Sequence, residues 1–192
     1  MLHNFPVRDR FDDAARARAE TLVAARVRAV PDFPRKGVLF RDITPVLADP
    51  AALRAALDLQ LDRVRDLWGR VDRVCGIESR GFLFGMAAAE RLGVGFVPVR
   101  KPGKLPARTI EQAYALEYGV DRLAIHTDAI RPGDRVLIVD DLLATGGTAR
   151  AAASLVERLS GRVMACLFLI ELPALGGRAR LGLRRVESVL SY

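Results

Sequence analysis

Cysteine is nearly absent: the 192 residues hold only Cys75 and Cys166. Two thiols so far apart exclude a disulfide framework and a metal knuckle. Each lies in an apolar, strand-like run and reads as a buried, reduced, small hydrophobe. Long hydrophobic runs are also missing. The longest apolar stretches are strand-sized, which excludes a bilayer-spanning helix. The first thirty residues lack the apolar core of a signal peptide. They are rich in Arg and Ala but also carry Asp9, Asp12, Asp13 and Glu20, unlike an acid-poor transit peptide. A cytoplasmic setting is the default expectation. Lysine is scarce as well: Lys36, Lys101 and Lys104 stand among 30 basic residues, the rest being Arg. All three fall in Gly/Pro-marked loops, where a compact, mobile ammonium was kept. The net charge of +7 admits nucleic acid, a membrane surface or a small anion as partner. The basic residues are scattered along helices among acids, with no dense run and no aromatic interleaving. The expectation is therefore a solvated surface, with neither nucleic acid nor membrane as partner.

What is present suits one soluble globular domain, with room for a small appendage: 51% hydrophobic and 28% charged residues in a chain of this length. Leu22, Val23, Val27 and Val30 recur at helical spacing, predicting a helix over 12–30 stopped by Pro31. Pro31 to Gly37 is a turn-rich loop followed by the apolar Val38–Ile43. Asp49-Pro50 reads as an N-cap and first helical residue, opening a helix to about Trp68 with Leu53, Leu57, Leu61 and Val64 on one face. Strands and helices then alternate. Strands are expected at 71–77, 95–99, 135–139 and 163–170, helices at 81–92 and 148–159, and a strand pair (113–118 with 123–127) around Gly119. A short helix and a strand at 186–190 close the chain. This order predicts an α/β fold: a mainly parallel twisted sheet with helices on both faces, whose ligands bind beyond the carboxyl ends of the strands.

The strongest signal lies at such an end. Val136-Leu137-Ile138-Val139 runs into Asp140-Asp141, then into Leu142-Leu143-Ala144-Thr145-Gly146-Gly147-Thr148 ahead of a helix. Gly146 and Gly147 let backbone approach a ligand closely. Amides leading into a helix N-terminus make an anion site, to which Thr145 and Thr148 add hydroxyls. Two carboxylates beside a phosphate cradle would repel an anion, but they make sense as acceptors for hydroxyls lying between the phosphate and a metal, as on a ribose. A Walker loop would need Gly-Lys-Ser/Thr where Gly147-Thr148-Ala149 stands. A dinucleotide fingerprint fails because Gly93-Val94-Gly95 has no third glycine.

The segment from Asp140 to Thr148 resembles the phosphoribosyl pyrophosphate signature of the type I phosphoribosyltransferases. The resemblance implies that fold, with paired acids on the ribose hydroxyls and Ala144, Thr145, Gly146, Gly147 and Thr148 around the 5′-phosphate. It does not fix the base. Other segments are similar to the adenine phosphoribosyltransferases in particular. Phe33-Pro34-Arg35-Lys36-Gly37-Val38-Leu39-Phe40-Arg41-Asp42-Ile43 resembles their N-terminal hood, implying that Leu39, Phe40 and Arg41 flank adenine; an apolar pair and a cation suit a flat heteroaromatic. Gly76-Ile77-Glu78-Ser79-Arg80-Gly81-Phe82 resembles their pyrophosphate loop, with Ser79 and Arg80 on the anion, Glu78 where Asp is frequent, and a cis bond before Ser79. Val99-Arg100-Lys101-Pro102-Gly103-Lys104-Leu105-Pro106 looks like their mobile loop, with Arg100, Lys101 and Lys104 serving pyrophosphate and the residue matching Arg100 reaching a second subunit of a homodimer. Leu116-Glu117-Tyr118-Gly119 matches a further motif that places Glu117 near the base.

The resemblance runs from about Val30 to the end. The expected division is an extension over 1–17 and one domain over 18–192, with the hood at about 31–45. It implies a purine-salvage enzyme joining adenine to phosphoribosyl pyrophosphate, with Mg²⁺ bound mainly through substrate and no protein metal cluster. Glu117, Arg80 and Lys101 are the catalytic candidates. Pyrophosphate is a charged leaving group, so cations can do most of the work, and no strong general base stands out. Two rivals remain at this point: transfer to another base, or a regulator that keeps the site as a sensor.

Overall fold

The computed structural model describes residues 11–115 and 119–192. They form two compact units, divided between Asp62 and Arg63.

In the first unit α1 (Asp13–Ala24) starts at Asp12, whose carboxylate accepts the Ala15 N–H at 2.6 Å. The helix ends at Ala24, short of the expected Val30. Arg28–Pro31 is instead a strand, β1, paired antiparallel with β2 (Leu39–Asp42) in the register Arg28↔Asp42 to Pro31↔Leu39. Helical spacing misled because Val27 lies in the turn after α1, its N–H on the Ala24 carbonyl, and β-branched Val30 pairs with Phe40 of the partner strand. Across the pair the Arg28 guanidinium meets Asp42 at 2.5 Å, and Asp42 also accepts the Thr44 N–H at 2.9 Å where α2 (Thr44–Ala48) begins. The Thr44 N–H and Arg28 together hold the Asp42 carboxyl down at about 2. The Phe33 and Phe40 rings meet edge-on with centroids 5.1 Å apart, and the Phe33–Pro34 bond is cis. Asp49 caps α3 (Pro50–Arg63) as expected, accepting the Ala51 and Ala52 N–H groups at 2.9 and 3.1 Å. That helix stops before Trp68 because the chain leaves helical geometry at Val64 (φ −119°, ψ 23°), and Arg65–Leu67 tightens into a 3₁₀ turn.

The second unit is built on a wholly parallel five-stranded sheet. Along the chain come β3 (Arg73–Ile77), α4 (Gly81–Leu92), β4 (Gly95–Val99), β5 (Thr109–Ala115), β6 (Val120–His126), β7 (Arg135–Leu143), α5 (Gly147–Arg158), β8 (Arg162–Glu171), α6 (Gly177–Arg180) and β9 (Val186–Ser191). The sheet order is β4-β3-β7-β8-β9, flanked by helices; β5 and β6 form a separate antiparallel hairpin. The expected α/β fold is present. Central β7 buries Val136, Leu137, Ile138 and Val139 completely, which is why its sequence is continuously apolar rather than alternating. It runs past the expected end, because pairing with β8 continues through Asp140↔Phe168 and Leu142↔Ile170. The acidic pair therefore belongs to the strand and not to the turn after it. From β3 the chain passes outward to β4 on one side and later returns to β7 on the other. The order reverses between β3 and β7, where open α/β sheets hold their ligands.

Candidate active site

The loops after β3 and β7 meet at that reversal and enclose a cavity of about 380 Å³. Its lining brings together Ser79, Arg80, Lys101, Asp140, Asp141, Ala144, Thr145, Gly146 and Thr148 from three separate stretches of sequence. Each position has a local cause. Ser79 and Arg80 form the turn between buried β3 and the first residue of α4, after a cis Glu78–Ser79 bond, as the resemblance implies. Gly81 permits the close approach that follows: a Cβ there would lie 2.8 Å from both Asp140 Oδ1 and the Val139 carbonyl oxygen. On the other side Gly146 takes φ +77° and turns the chain out of β7 into α5, whose first turn holds no acid. The helix N-terminus thus presents its amides to an anion without a competing carboxylate.

The electrostatics divide the acidic pair. Asp141 is 5% exposed and its Oδ2 receives Arg80 Nε at 2.6 Å. Asp140 is half-buried, and its Oδ1 accepts the Asp141 N–H at 2.9 Å. Loss of hydration, then the adjacent Asp141 charge, push the Asp140 carboxyl well above its usual range.

The basic loop is fastened at its base. Arg100 places Nε and Nη2 on the Glu78 carboxylate, both at 3.2 Å, and the Lys101 N–H reaches Glu78 Oε2 at 2.9 Å. Burial works to raise the Glu78 carboxyl, but the Lys101 N–H and Arg100 outweigh it and hold it below the usual range. The Lys101 ammonium contacts Asp121 and also donates to Tyr114 Oη at 3.3 Å. Tyr114 and Asp121 are direct partners across the β5–β6 hairpin, and the tyrosine hydroxyl donates to the same carboxylate at 3.1 Å. Loss of hydration disfavours the Lys101 charge, yet Asp121 and Tyr114 more than compensate and raise its pKa.

Not every expected residue lines this cavity. Gly147 faces a neighbouring hollow bounded by Tyr114, Arg150 and Arg180. Arg100 is turned to Glu78 of its own chain, and Lys104 is exposed with its carbonyl accepting Arg100 Nη1 at 2.9 Å. Leu39, Phe40 and Arg41 form β2 in the first unit, where Leu39 is 49% exposed. Glu117 lies outside the described residues. Tyr114 and Asp121 were missed from sequence; the signal available was the hairpin register about Gly119, which sets residue 114 opposite 121. Among the described residues no three His, Cys, Asp or Glu side chains converge to hold a metal ion.

Residues 42–187 match the family model of the phosphoribosyl transferase domain. An adenine phosphoribosyltransferase from Methylococcus capsulatus is 59% identical over 169 residues, 88% of this chain and 97% of that protein. The crystal structure of the Rhodothermus marinus adenine phosphoribosyltransferase superposes with a TM-score of 0.86 at 51% identity, covering 92% of this chain and 99% of that one. The Saccharomyces cerevisiae enzyme, solved with D-2,5-dideoxy-2,5-imino-altritol 1,6-bisphosphate and adenine, gives 0.86 at 40% identity over 91% and 99%. This chain belongs to the adenine phosphoribosyltransferase family.

Proposed function

We infer that the protein transfers the phosphoribosyl group of phosphoribosyl pyrophosphate to adenine in purine salvage. A purine nitrogen forms the new bond to C1′, the C1′–oxygen bond to pyrophosphate breaks with its electron pair leaving on that oxygen, and AMP results once the purine loses a proton. The observation that carries this reading is the convergence of the Asp140-Asp141 pair, the Ala144–Thr148 loop and the Ser79-Arg80 turn on one cavity. In it we assign the 5′-phosphate to the amides and hydroxyls of Ala144, Thr145, Gly146, Gly147 and Thr148. The ribose hydroxyls go to Asp140 and Asp141. The leaving pyrophosphate goes to Ser79 and Arg80, with Lys101, Lys104 and Arg100 closing on it. Adenine recognition is assigned to Leu39, Phe40 and Arg41, and Glu117 is the candidate to stabilise the purine as charge develops.

Mg²⁺ fits the donor set. It keeps several waters and binds through one or two carboxylates plus substrate phosphates, and the cavity offers Asp140 and Asp141 rather than a closed cage, Glu78 being taken by Arg100 and the Lys101 N–H. Asp140 and Asp141 would hold it through the ribose and its water, and it would supply charge neutralisation on the pyrophosphate oxygens. We further propose one domain over 18–192 behind an extension at 1–17, a cytoplasmic setting and a homodimer. Leu83 and Met86, one turn apart on α4, are 52% and 57% exposed and suit a subunit contact. No described helix is long and apolar enough to cross a membrane.

The deciding assay is AMP formation from adenine beside hypoxanthine, guanine, xanthine and orotate. Faster use of any base other than adenine defeats the assignment. Arg41→Ala raises the KM of adenine roughly 3- to 30-fold, the range of a lost cation–π contact, with a much smaller change for the sugar donor. Equal changes for both substrates would remove the segment from base recognition. Lys101→Ala and Lys104→Ala each raise the KM of phosphoribosyl pyrophosphate roughly tenfold, as expected for one charge-assisted bond. Their stability, read from urea denaturation, shifts by no more than ~1 kcal/mol, because the Lys101–Asp121 pair is 40% and 30% exposed. A large stability loss with normal kinetics would identify a structural loop instead.

A further inference from the structure

The Ala144–Thr148 loop rests on more than its own strand. A Cβ on Gly146 would fall 2.5 Å from the Gly177 carbonyl oxygen and 3.1 Å from Gly177 Cα. In the reverse direction, a Cβ on Gly177 would overlap the Ala144 carbonyl oxygen and sit 3.0 Å from Gly146 N. Two backbones touch here with no side chain between them, and Gly177 is buried. The loop is therefore placed by whatever places Gly177.

Gly177 opens α6, which is only four residues long and too short to hold its own conformation. Arg178 anchors it. Its Nε and Nη2 bond the two Glu171 oxygens at 3.0 and 2.5 Å, and Nη1 bonds the Val186 carbonyl at 2.6 Å. Ser188 Oγ on β9 donates to Glu171 Oε2 at 2.8 Å, completing the set. Glu171 ends β8 and is 5% exposed, and the following Leu172 N–H bonds the Leu143 carbonyl at the end of β7 at 2.9 Å. Arg178 foremost, helped by Ser188 and opposed by burial, keeps the Glu171 carboxyl below its usual range, so the clamp is charged near neutral pH. A bidentate guanidinium–carboxylate pair fixes direction as well as distance.

We propose that Glu171, Arg178 and Ser188 are positioning residues for the phosphoribosyl moiety: they fix α6, and α6, through Gly177, sets the height of the loop that receives the 5′-phosphate. The inference rests on the reading of Ala144–Thr148 as that cradle. It separates the two ends of the substrate, because Gly177 touches the backbone of the Ala144–Thr148 loop, whereas the Ser79-Arg80 turn is spaced by Gly81 against Asp140 and Val139.

The test compares ribose 5-phosphate affinity by calorimetry with the KM of pyrophosphate in the reverse reaction. Arg178→Ala and Gly177→Ala weaken ribose 5-phosphate at least tenfold and leave the pyrophosphate KM within twofold, with Arg178→Lys falling between. Should Gly177→Ala fail to fold, Arg178→Ala carries the test, since that side chain is 51% exposed. Ser188→Ala gives a milder change of the same selectivity. Equal weakening of both ligands overturns the proposal by showing a general structural role. Unchanged ribose 5-phosphate affinity in Arg178→Ala overturns it too, if Thr148→Ala weakens that ligand. If Thr148→Ala has no effect, the reading of the cradle itself fails, and the inference falls with it.

Discussion

Asp140→Asn and Asp141→Asn each lower phosphoribosyl transfer by about 10- to 150-fold while the protein still folds. A hydrogen bond to a charged group contributes roughly 1.5–3 kcal/mol, or about 10- to 150-fold in rate if it is expressed in the transition state. Each carboxylate is assigned ribose hydroxyls, and Asp141 also holds Arg80 at 2.6 Å. The stability effects differ between the two. Asp140 has a carboxyl raised in the folded state, first by burial and then by Asp141. Such a group stabilises fully below its unfolded value near 3.8, and that contribution is lost as pH rises through the folded value. At neutral pH Asp140 is therefore a liability to the empty protein, and Asp140→Asn is as stable as the wild type or more so. Asp141→Asn weakens the pairing of a buried carboxylate with the part-exposed Arg80 and is the less stable of the two variants. Urea denaturation and initial rates at pH 7 check both statements. Near-native turnover in both variants would remove the acidic pair from the site.

Gly146→Ala is the second large effect. An alanine at φ +77° costs roughly 1–2 kcal/mol for the left-handed backbone alone. Its Cβ must also displace the Gly177 carbonyl, an overpacking term of about 1–3 kcal/mol. Gly93→Ala is the matched control: Gly93 sits at φ +68° at the end of α4, with open space where the Cβ would go. The difference between the two variants isolates the packing term. In Gly146→Ala the KM of phosphoribosyl pyrophosphate rises with the stability loss, whereas in Gly93→Ala the kinetics stay native. Equal stability losses would show that the contact with Gly177 yields without cost.

Much of this site was legible in the residues because it is written locally. The bounds of α4 and β4 coincide with the expected 81–92 and 95–99, since Gly81, Gly93 and Gly95 punctuate an otherwise apolar stretch. The Asp140–Thr148 segment carries acids, glycines and hydroxyls in one continuous run, so its chemistry needs no knowledge of the fold. What escaped was non-local. Asp121 looks like one acid among many until the hairpin sets it beside Tyr114 and Lys101. Glu171 and Arg178 are seven residues apart, and only the chain's return through α6 makes them a pair. At Val30 two periodicities competed, and the partner strand decided between them.

Gly81 has a consequence for how the enzyme can vary. The two halves of the cavity, the turn after β3 and the acids of β7, are spaced by direct contact between backbone and carboxylate where a side chain is missing. That gap acts as a fixed ruler between the acids assigned to the ribose and the turn assigned to the leaving group. Even one added methyl would lengthen it, because its carbon would meet Asp140 Oδ1 and the Val139 carbonyl oxygen at 2.8 Å. On the proposed assignment, the span between sugar and diphosphate is held constant by an atom the chain does not have.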